Sequence, residues 1–177
     1  RNNPGDDLIS TLIAAEEDGN KLSHEELIGT CILLLNAGHE ATVHTIGNSV
    51  KTLLAQPPQD ITAETVEELI RFDPPLHMFT RWVYEDFDFF GTKLKRGDQL
   101  ACLLGSANRD EAAYPNANTF DPKRKGPANT AFGGGIHFCV GAPLARLEVR
   151  FALQTLQSRC PNLTLASPAT YGDTYHF

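Results

Sequence analysis

One cysteine stands in a segment whose residue types favour a metal ligand or a nucleophile, Phe132 to Gly141 (FGGGIHFCVG). Three consecutive glycines precede Cys139, and glycines let the backbone approach something flat and bulky. The following Gly141-Ala142-Pro143 indicates the start of a helix, because Pro suits the first helical turn. We therefore expect Cys139 at or just before a helix N-terminus, where free N–H groups and the helix dipole favour a negatively charged sulfur.

The spacing of other candidate ligands separates the kinds of site that this cysteine could form. A structural zinc site needs four ligands at short spacings, and only His137 lies near Cys139. The other cysteines show no C-x-x-C pairing, which argues against an iron–sulfur cluster. They are Cys31, Cys102 and Cys160. A cysteine hydrolase with His137 as base stays open, although the chain has no G-x-S-x-G or G-K-[ST] motif. A single axial thiolate on a haem iron fits best.

The same segment resembles the signature of the cytochrome P450 family, F-x-x-G-x-[HR]-x-C-x-G. The residues that match its fixed positions are Phe132, Gly135, His137, Cys139 and Gly141. The resemblance implies that Cys139 is the proximal thiolate ligand of haem b (iron protoporphyrin IX) and that the other four residues bind the cofactor. It also implies that His137 and Arg81 hold the haem propionates, since both side chains can donate hydrogen bonds to a carboxylate.

A second motif lies ahead of the cysteine. Glu68-Leu69-Ile70-Arg71 matches the family's E-x-x-R. The two charged residues are three apart and share one face of a predicted helix. One interpretation is therefore an exposed ion pair that contributes little to stability. The resemblance implies instead that Glu68 and Arg71 join Arg124 in a buried structural network.

A third motif lies on a long predicted helix. The segment 37–42 (AGHEAT) resembles the family's oxygen-binding [AG]-G-x-[DE]-T-[TS], which implies that Gly38 leaves room for oxygen and that Glu40 relays protons. Ala41 stands where the family usually has the Thr that guides proton delivery, and Thr42 follows one place later. One residue along a helix turns a side chain by about 100°. Thr42 therefore cannot simply replace it, and the proton step is where this chain departs from the family.

Periodicity predicts a mainly α protein with small antiparallel β-sheets, and the resemblance implies the C-terminal portion of the cytochrome P450 fold. We expect one domain over residues 1–177. Helices are predicted from Asp6 to Gly19, from the Ser23 capping box to Pro57, from Thr62 to Phe72, and from Gly141 to about Arg159. Strands are predicted at 79–83 and 99–103. The second helix is apolar nearly all round from Leu27 to Leu35, which predicts that it crosses the interior.

The resemblance implies a soluble bacterial haem-thiolate monooxygenase that inserts one oxygen atom of O2 into a small hydrophobic substrate. Electrons would come from a ferredoxin or flavodoxin-type donor and its reductase. The net charge of −7 argues against nucleic acid and anionic membranes, and the unpaired-looking cysteines favour the cytoplasm. Ala41 suggests an alternative, a peroxide-using or rearranging haem-thiolate enzyme. A non-catalytic haem-binding fragment is the other alternative.

Overall fold

The structure, a computed structural model, describes residues 3–17 and 22–172. The described residues form helices α1 (Leu8–Glu17), α2 (His24–Leu54), α3 (Ala63–Phe72), α4 (Leu104–Ala107) and α5 (Ala142–Arg159). Their strands are β1 (Met78–Trp82), β2 (Phe87–Phe89), β3 (Thr92–Leu94) and β4 (Gln99–Leu103), with one 3-10 turn at Gly135–His137. The prediction of a helix-rich chain with small antiparallel sheets is confirmed.

The internal contacts of the chain divide it into two compact units, residues 1–40 and 41–177. The boundary between them falls within α2. In the first unit, the predicted capping box begins α2. The Ser23 hydroxyl accepts from the Glu26 N–H at 3.3 Å, and the Ser23 N–H donates to the Glu26 carboxylate at 2.7 Å. The predicted end of α1 at Gly19 lies outside the described residues. The expectation of one domain stays a prediction.

The core of the second unit lies between α3 and α5. Thr62 caps α3, because its hydroxyl accepts from the Thr65 N–H at 3.2 Å. The buried core side chains are Ile61, Val66, Leu69, Ile70, Phe120, Val149 and Leu153. The spacing of three and four residues along each helix places these side chains on one face. The core therefore fixes α3, which carries the E-x-x-R motif, against α5, which follows the cysteine.

Two separate two-stranded sheets lie between α3 and the cysteine loop. β1 pairs antiparallel with β4, in a register that runs from Met78 opposite Leu103 to Trp82 opposite Gln99, which confirms the predicted strands. The hairpin of β2 and β3 is not predicted by the sequence. Its turn holds Phe90 and Gly91 at φ values of 50° and 81°. A bulky aromatic residue is a poor signal for such a turn, which usually contains Asn, Asp or Gly.

Within the described residues, the prediction that α2 crosses the interior is wrong for most of its apolar stretch, although Leu27 at the start of that stretch is only 6% exposed. Ile32, Leu33 and Leu35 are 55%, 64% and 75% exposed. An apolar run shows that a helix can be buried, but burial also needs neighbouring elements, and the described chain does not cover these side chains. None of the described helices has both the length and the apolar character needed to span a bilayer.

Candidate functional site

The cysteine segment forms a narrow loop that is closed by its own backbone. The Cys139 N–H donates to the Phe132 carbonyl at 3.0 Å. Between these residues, Gly133 and Gly135 have φ values of +70° and +63°, in the left-handed region that favours glycine. A side chain at Gly133 would also contact the His137 carbonyl, 3.6 Å from an ideal Cβ. Two of the three consecutive glycines are therefore required by the backbone of the loop.

Cys139 lies immediately before α5, as the sequence predicts. Its carbonyl accepts from the Ala142 N–H at 3.2 Å, and Gly141 is the N-cap of the helix. An ideal Cβ at Gly141 would lie 3.8 Å from the Cys139 sulfur, so the thiol side chain lies against this glycine. The arrangement presents an exposed sulfur at a helix N-terminus, where negative charge is favoured.

The surroundings of Cys139 fit a haem. Ile136, Phe138 and Val140 are 97%, 50% and 91% exposed, so an apolar surface adjoins the thiol. An ideal Cβ at Gly134 or Gly135 would meet nothing within 4 Å, which leaves open space beside the loop. A soft sulfur donor with apolar neighbours and open space is what a flat, largely apolar macrocycle with one axial thiolate requires.

The two predicted propionate-binding residues lie on separate elements. His137 is exposed at the end of the 3-10 turn, two residues before Cys139. Arg81 is exposed on β1, where it donates from Nη1 to the Thr80 carbonyl at 2.8 Å. No hydrogen bond joins Arg81 and His137 within the part of the chain that the structure describes. Both side chains are accessible to a carboxylate.

The structure brings Glu68, Arg71 and Arg124 together. Arg71 binds Glu68 through two parallel hydrogen bonds, from Nε to Oε2 at 2.7 Å and from Nη2 to Oε1 at 2.8 Å. The two side chains are only 3% and 4% exposed. Arg124 reaches the same carboxylate from Nε at 3.3 Å, and the Asp121 N–H donates to it at 2.9 Å. Bidentate geometry with further donors is what offsets the cost of burying an ion pair.

The sequence does not indicate the partners that complete this network. Arg71 Nη1 donates to the carbonyls of Asn108 and Ala117, at 2.6 and 3.0 Å. Asn108 is fully buried, and its Oδ1 accepts from both the N–H and the hydroxyl of Thr130, at 2.8 and 2.9 Å. Asn108 thereby links Arg71 to the segment that enters the cysteine loop.

Two further groups of the segment before the cysteine have shifted pKa values. Burial raises the pKa of Tyr114, whose hydroxyl donates to the Ala128 carbonyl at 3.0 Å. Burial, followed by the repulsion of Arg71, lowers the pKa of Arg109. The Arg109 guanidinium lies 3.8 Å from the centre of the Phe72 ring, which ties the segment to the end of α3.

The third motif lies in the middle of α2, which passes unbroken through Gly38. Gly38 and Glu40 are exposed, and Ala41 and Thr42 are half-buried. The space beside Gly38 is open, since an ideal Cβ would meet nothing within 4 Å. One turn further along, the Thr45 hydroxyl donates to the Ala41 carbonyl at 2.7 Å. The boundary of the two units follows Glu40 and therefore falls within this motif.

Comparison with known sequences gives a consistent result. The family profile described as Cytochrome P450 matches residues 59–161. A cytochrome P450 of Bacillus subtilis (strain 168) is 45% identical over 174 residues, which cover 93% of this chain and 42% of the relative. Cytochrome P450 monooxygenase PikC of Streptomyces venezuelae is 42% identical over 175 residues, which cover 93% of this chain and 42% of PikC. Vitamin D(3) 25-hydroxylase of Pseudonocardia autotrophica is 42% identical over 176 residues, which cover 94% of this chain and 42% of the hydroxylase. The chain spans less than half the length of these relatives.

Solved structures agree with the sequences. P450BioI, in complex with an acyl carrier protein ligated with hexadec-9Z-enoic acid, has a TM-score of 0.90 and 41% identity, over 99% of this chain and 47% of that chain. CYP109E1 of Bacillus megaterium in complex with testosterone has a TM-score of 0.88 and 35% identity. The match covers 99% of this chain and 52% of that chain. The matching profile covers more than half of the chain and includes both the E-x-x-R motif and the cysteine loop. The chain therefore belongs to the cytochrome P450 family.

Proposed function

We propose that this chain is the haem-ligating portion of a monooxygenase that inserts one oxygen atom of O2 into a hydrophobic organic substrate. One observation carries the proposal, the exposed Cys139 thiol in a glycine loop at the start of α5, with its N–H held by the Phe132 carbonyl. A bound haem would supply the redox-active iron, and electron donation from an axial thiolate favours cleavage of the O–O bond.

The proposal gives each residue of the proximal side a separate role. Cys139 would hold the haem iron through its sulfur, and Phe132, Gly135 and Gly141 form the loop around it. His137 and Arg81 would donate hydrogen bonds to the propionates of a bound haem. The cluster of Glu68, Arg71 and Arg124 is proposed to be structural, since Arg71 and Glu68 are only 3% and 4% exposed and Arg71 donates to two backbone carbonyls of the segment before the cysteine.

On α2, Glu40 is proposed to move a proton through its carboxyl group, and Gly38 is proposed to leave space for oxygen. Ala41 has no hydroxyl to take part, and the proton of the Thr45 hydroxyl is held by the Ala41 carbonyl within the helix. Thr42 lies about 100° further around the helix. We therefore propose that a hydroxyl of the substrate, or an ordered water, completes the proton route beside Glu40.

The substrate and the electron donor are proposed by class. The relatives include PikC, named a monooxygenase, and a vitamin D(3) 25-hydroxylase, and one similar structure contains testosterone. These names support a small hydrophobic substrate and oxygen insertion. No observation favours the peroxide-using or rearranging alternative beyond Ala41, or the non-catalytic alternative. The electron donor is proposed to be a ferredoxin or flavodoxin-type protein with its reductase.

The absorption spectrum of the reduced, CO-bound protein tests the ligand, because it reports thiolate coordination directly. We expect Cys139→Ser to lose the thiolate Soret signature. Serine at Cys31, Cys102 or Cys160 should leave it intact, and these three variants are the matched controls. A thiolate signature that persists without Cys139 contradicts the proposal. Product formation with NADH and a redox partner, compared with peroxide alone, then separates oxygen insertion from peroxide-driven chemistry.

A further inference from the structure

Arg146 lies over the residue that begins the cysteine loop. Its guanidinium carbon is 4.4 Å from the centre of the Phe132 ring, within the range of a cation–π contact. The carbonyl of the same Phe132 accepts the Cys139 N–H at 3.0 Å. Phe132 therefore contacts Arg146 through its ring and the cysteine through its backbone.

Glu67 sets the orientation of Arg146. Both Nε and Nη2 of Arg146 donate to the Glu67 carboxylate, the second at 3.2 Å, and the Asn129 amide donates to the same carboxylate at 3.1 Å. The Arg146 and Glu67 side chains are 33% and 41% exposed, so the ion pair alone contributes little to stability. Its consequence is geometric, because two hydrogen bonds to one carboxylate fix the plane of the guanidinium that covers the ring.

We propose that Arg146 is a positioning residue for Cys139, which acts through Phe132, and that Glu67 holds it in place. The inference rests on the proposed function, in which the Cys139 sulfur is the axial ligand. The planar guanidinium can lie flat on the Phe132 ring, and the ring in turn keeps the Phe132 carbonyl aimed at the Cys139 N–H. A lysine would keep the positive charge but not the flat contact or the two parallel hydrogen bonds.

This role differs from that of the neighbouring buried pair. Glu68 points into the core side of α3, where it is 4% exposed, whereas Glu67 is far more accessible and lies against α5. Loss of Arg146 or Glu67 therefore removes a contact to the cysteine loop without leaving an uncompensated buried charge. The thiolate signature should respond to these variants more than global stability does.

The test uses the haem-loaded protein and its Arg146→Gln, Arg146→Lys and Glu67→Gln variants, with the exposed Arg159→Gln at the end of α5 as control. The measurement is the rate at which the reduced, CO-bound form loses its thiolate Soret signature, together with the thermal midpoint. Removing the cation–π contact should accelerate the loss about fivefold in Arg146→Gln. Arg146→Lys and Glu67→Gln should change the rate in the same direction, and Arg159→Gln should match the wild type.

The two charge-altering variants separate positioning from a simple charge effect. Arg146→Gln removes a positive charge and Glu67→Gln removes a negative one, so a charge effect on the sulfur would shift the rate of loss in opposite directions. Shifts in opposite directions, or wild-type rates in both variants, overturn the inference while the proposed function stands. If Arg146→Gln does not fold, the rate in Glu67→Gln alone decides. A wild-type protein without any thiolate signature overturns the proposed function, and this inference with it.

Discussion

The Glu68 carboxylate accepts hydrogen bonds from three side-chain donors and one backbone N–H within the described chain. Such an arrangement compensates the charge of Glu68 inside the protein. It also fixes the positions of Arg71 and Arg124, since both donate to the same carboxylate. These residues are therefore sensitive to substitution, since removal of one partner leaves the others charged and buried.

Substitution of Glu68 is therefore expected to act on the fold. Glu68→Ala should lower the free energy of unfolding by about 3–5 kcal/mol and yield little haem-loaded protein. Glu148→Ala, at an exposed position of α5, is the control and should change stability by less than about 0.5 kcal/mol. Urea unfolding and the haem content after purification measure both effects. Normal haem content with lost turnover would assign Glu68 a catalytic role instead.

Position 41 is the residue at which the proposed oxygen activation can be tested. If a substrate hydroxyl or a water completes the proton route, Ala41→Thr should leave haem binding and spectra unchanged, but it should alter the fraction of NADH consumption that yields product. Glu40→Gln, which removes the proposed proton carrier, should lower turnover by about 10²–10⁴-fold. Stopped-flow and product assays of both variants measure the turnover and the fraction of NADH consumption that yields product. Unchanged coupling and substrate affinity in Ala41→Thr, together with an inactive Glu40→Gln, would show that position 41 takes no part in proton delivery.

The helices and strands that the sequence predicts are those with a local physical signal. The capping box at Ser23 and the apolar spacing of α3 each lie within a few residues, and both elements begin where predicted. The β2–β3 hairpin lacks such a signal, because Phe90 occupies a turn position where Asn or Gly is typical. Each strand of the hairpin has only three residues, too few for an alternating pattern to stand out.

Phe90 should therefore be a position where the hairpin can be stabilised. A non-glycine residue at φ 50° costs about 1–2 kcal/mol, and Asn tolerates this conformation better than Phe. Phe90→Asn also loses an edge-to-face contact with Phe89, at 4.8 Å between ring centres, which offsets part of the gain. We expect a net increase of about 0.5 kcal/mol in the free energy of unfolding. Tyr84→Asn, at another exposed aromatic residue, serves as control in urea unfolding, and an equal gain there would argue against relief of backbone strain.

The cysteine loop is predictable because its residues are contiguous in the sequence, whereas the network of Glu68, Arg71 and Arg124 is predictable only in part. Arg71 donates to carbonyls that lie 37 and 46 residues away in the chain. Any residue type supplies a backbone carbonyl, so no sequence pattern marks these acceptors. The contact of Arg146 with the Phe132 ring is hidden for a similar reason, since it depends on how α5 is oriented relative to the loop.

α5 has a second apolar face that the described chain leaves uncovered. Val149 and Leu153 are buried toward α3, whereas Leu144, Leu147 and Phe151 are 60%, 50% and 62% exposed. Their spacing of three and four residues places the exposed side chains together, on the side opposite the buried pair. Soluble monomers rarely expose large contiguous apolar patches, and those that do tend to associate.

Residues 1–177 produced alone should therefore self-associate and bind a hydrophobic dye. Replacing Leu147 and Phe151 by Glu places two charges on the exposed face of α5, so we expect lower dye fluorescence and a larger fraction of monomer in sedimentation velocity. Glu at Gln157, an exposed position that is already polar, is the matched control and should leave association unchanged. Far-UV circular dichroism must show equal helix content in all three proteins. A wild-type chain that stays monomeric at high concentration, without dye binding, would mean that this face of α5 is too small or too divided to drive association.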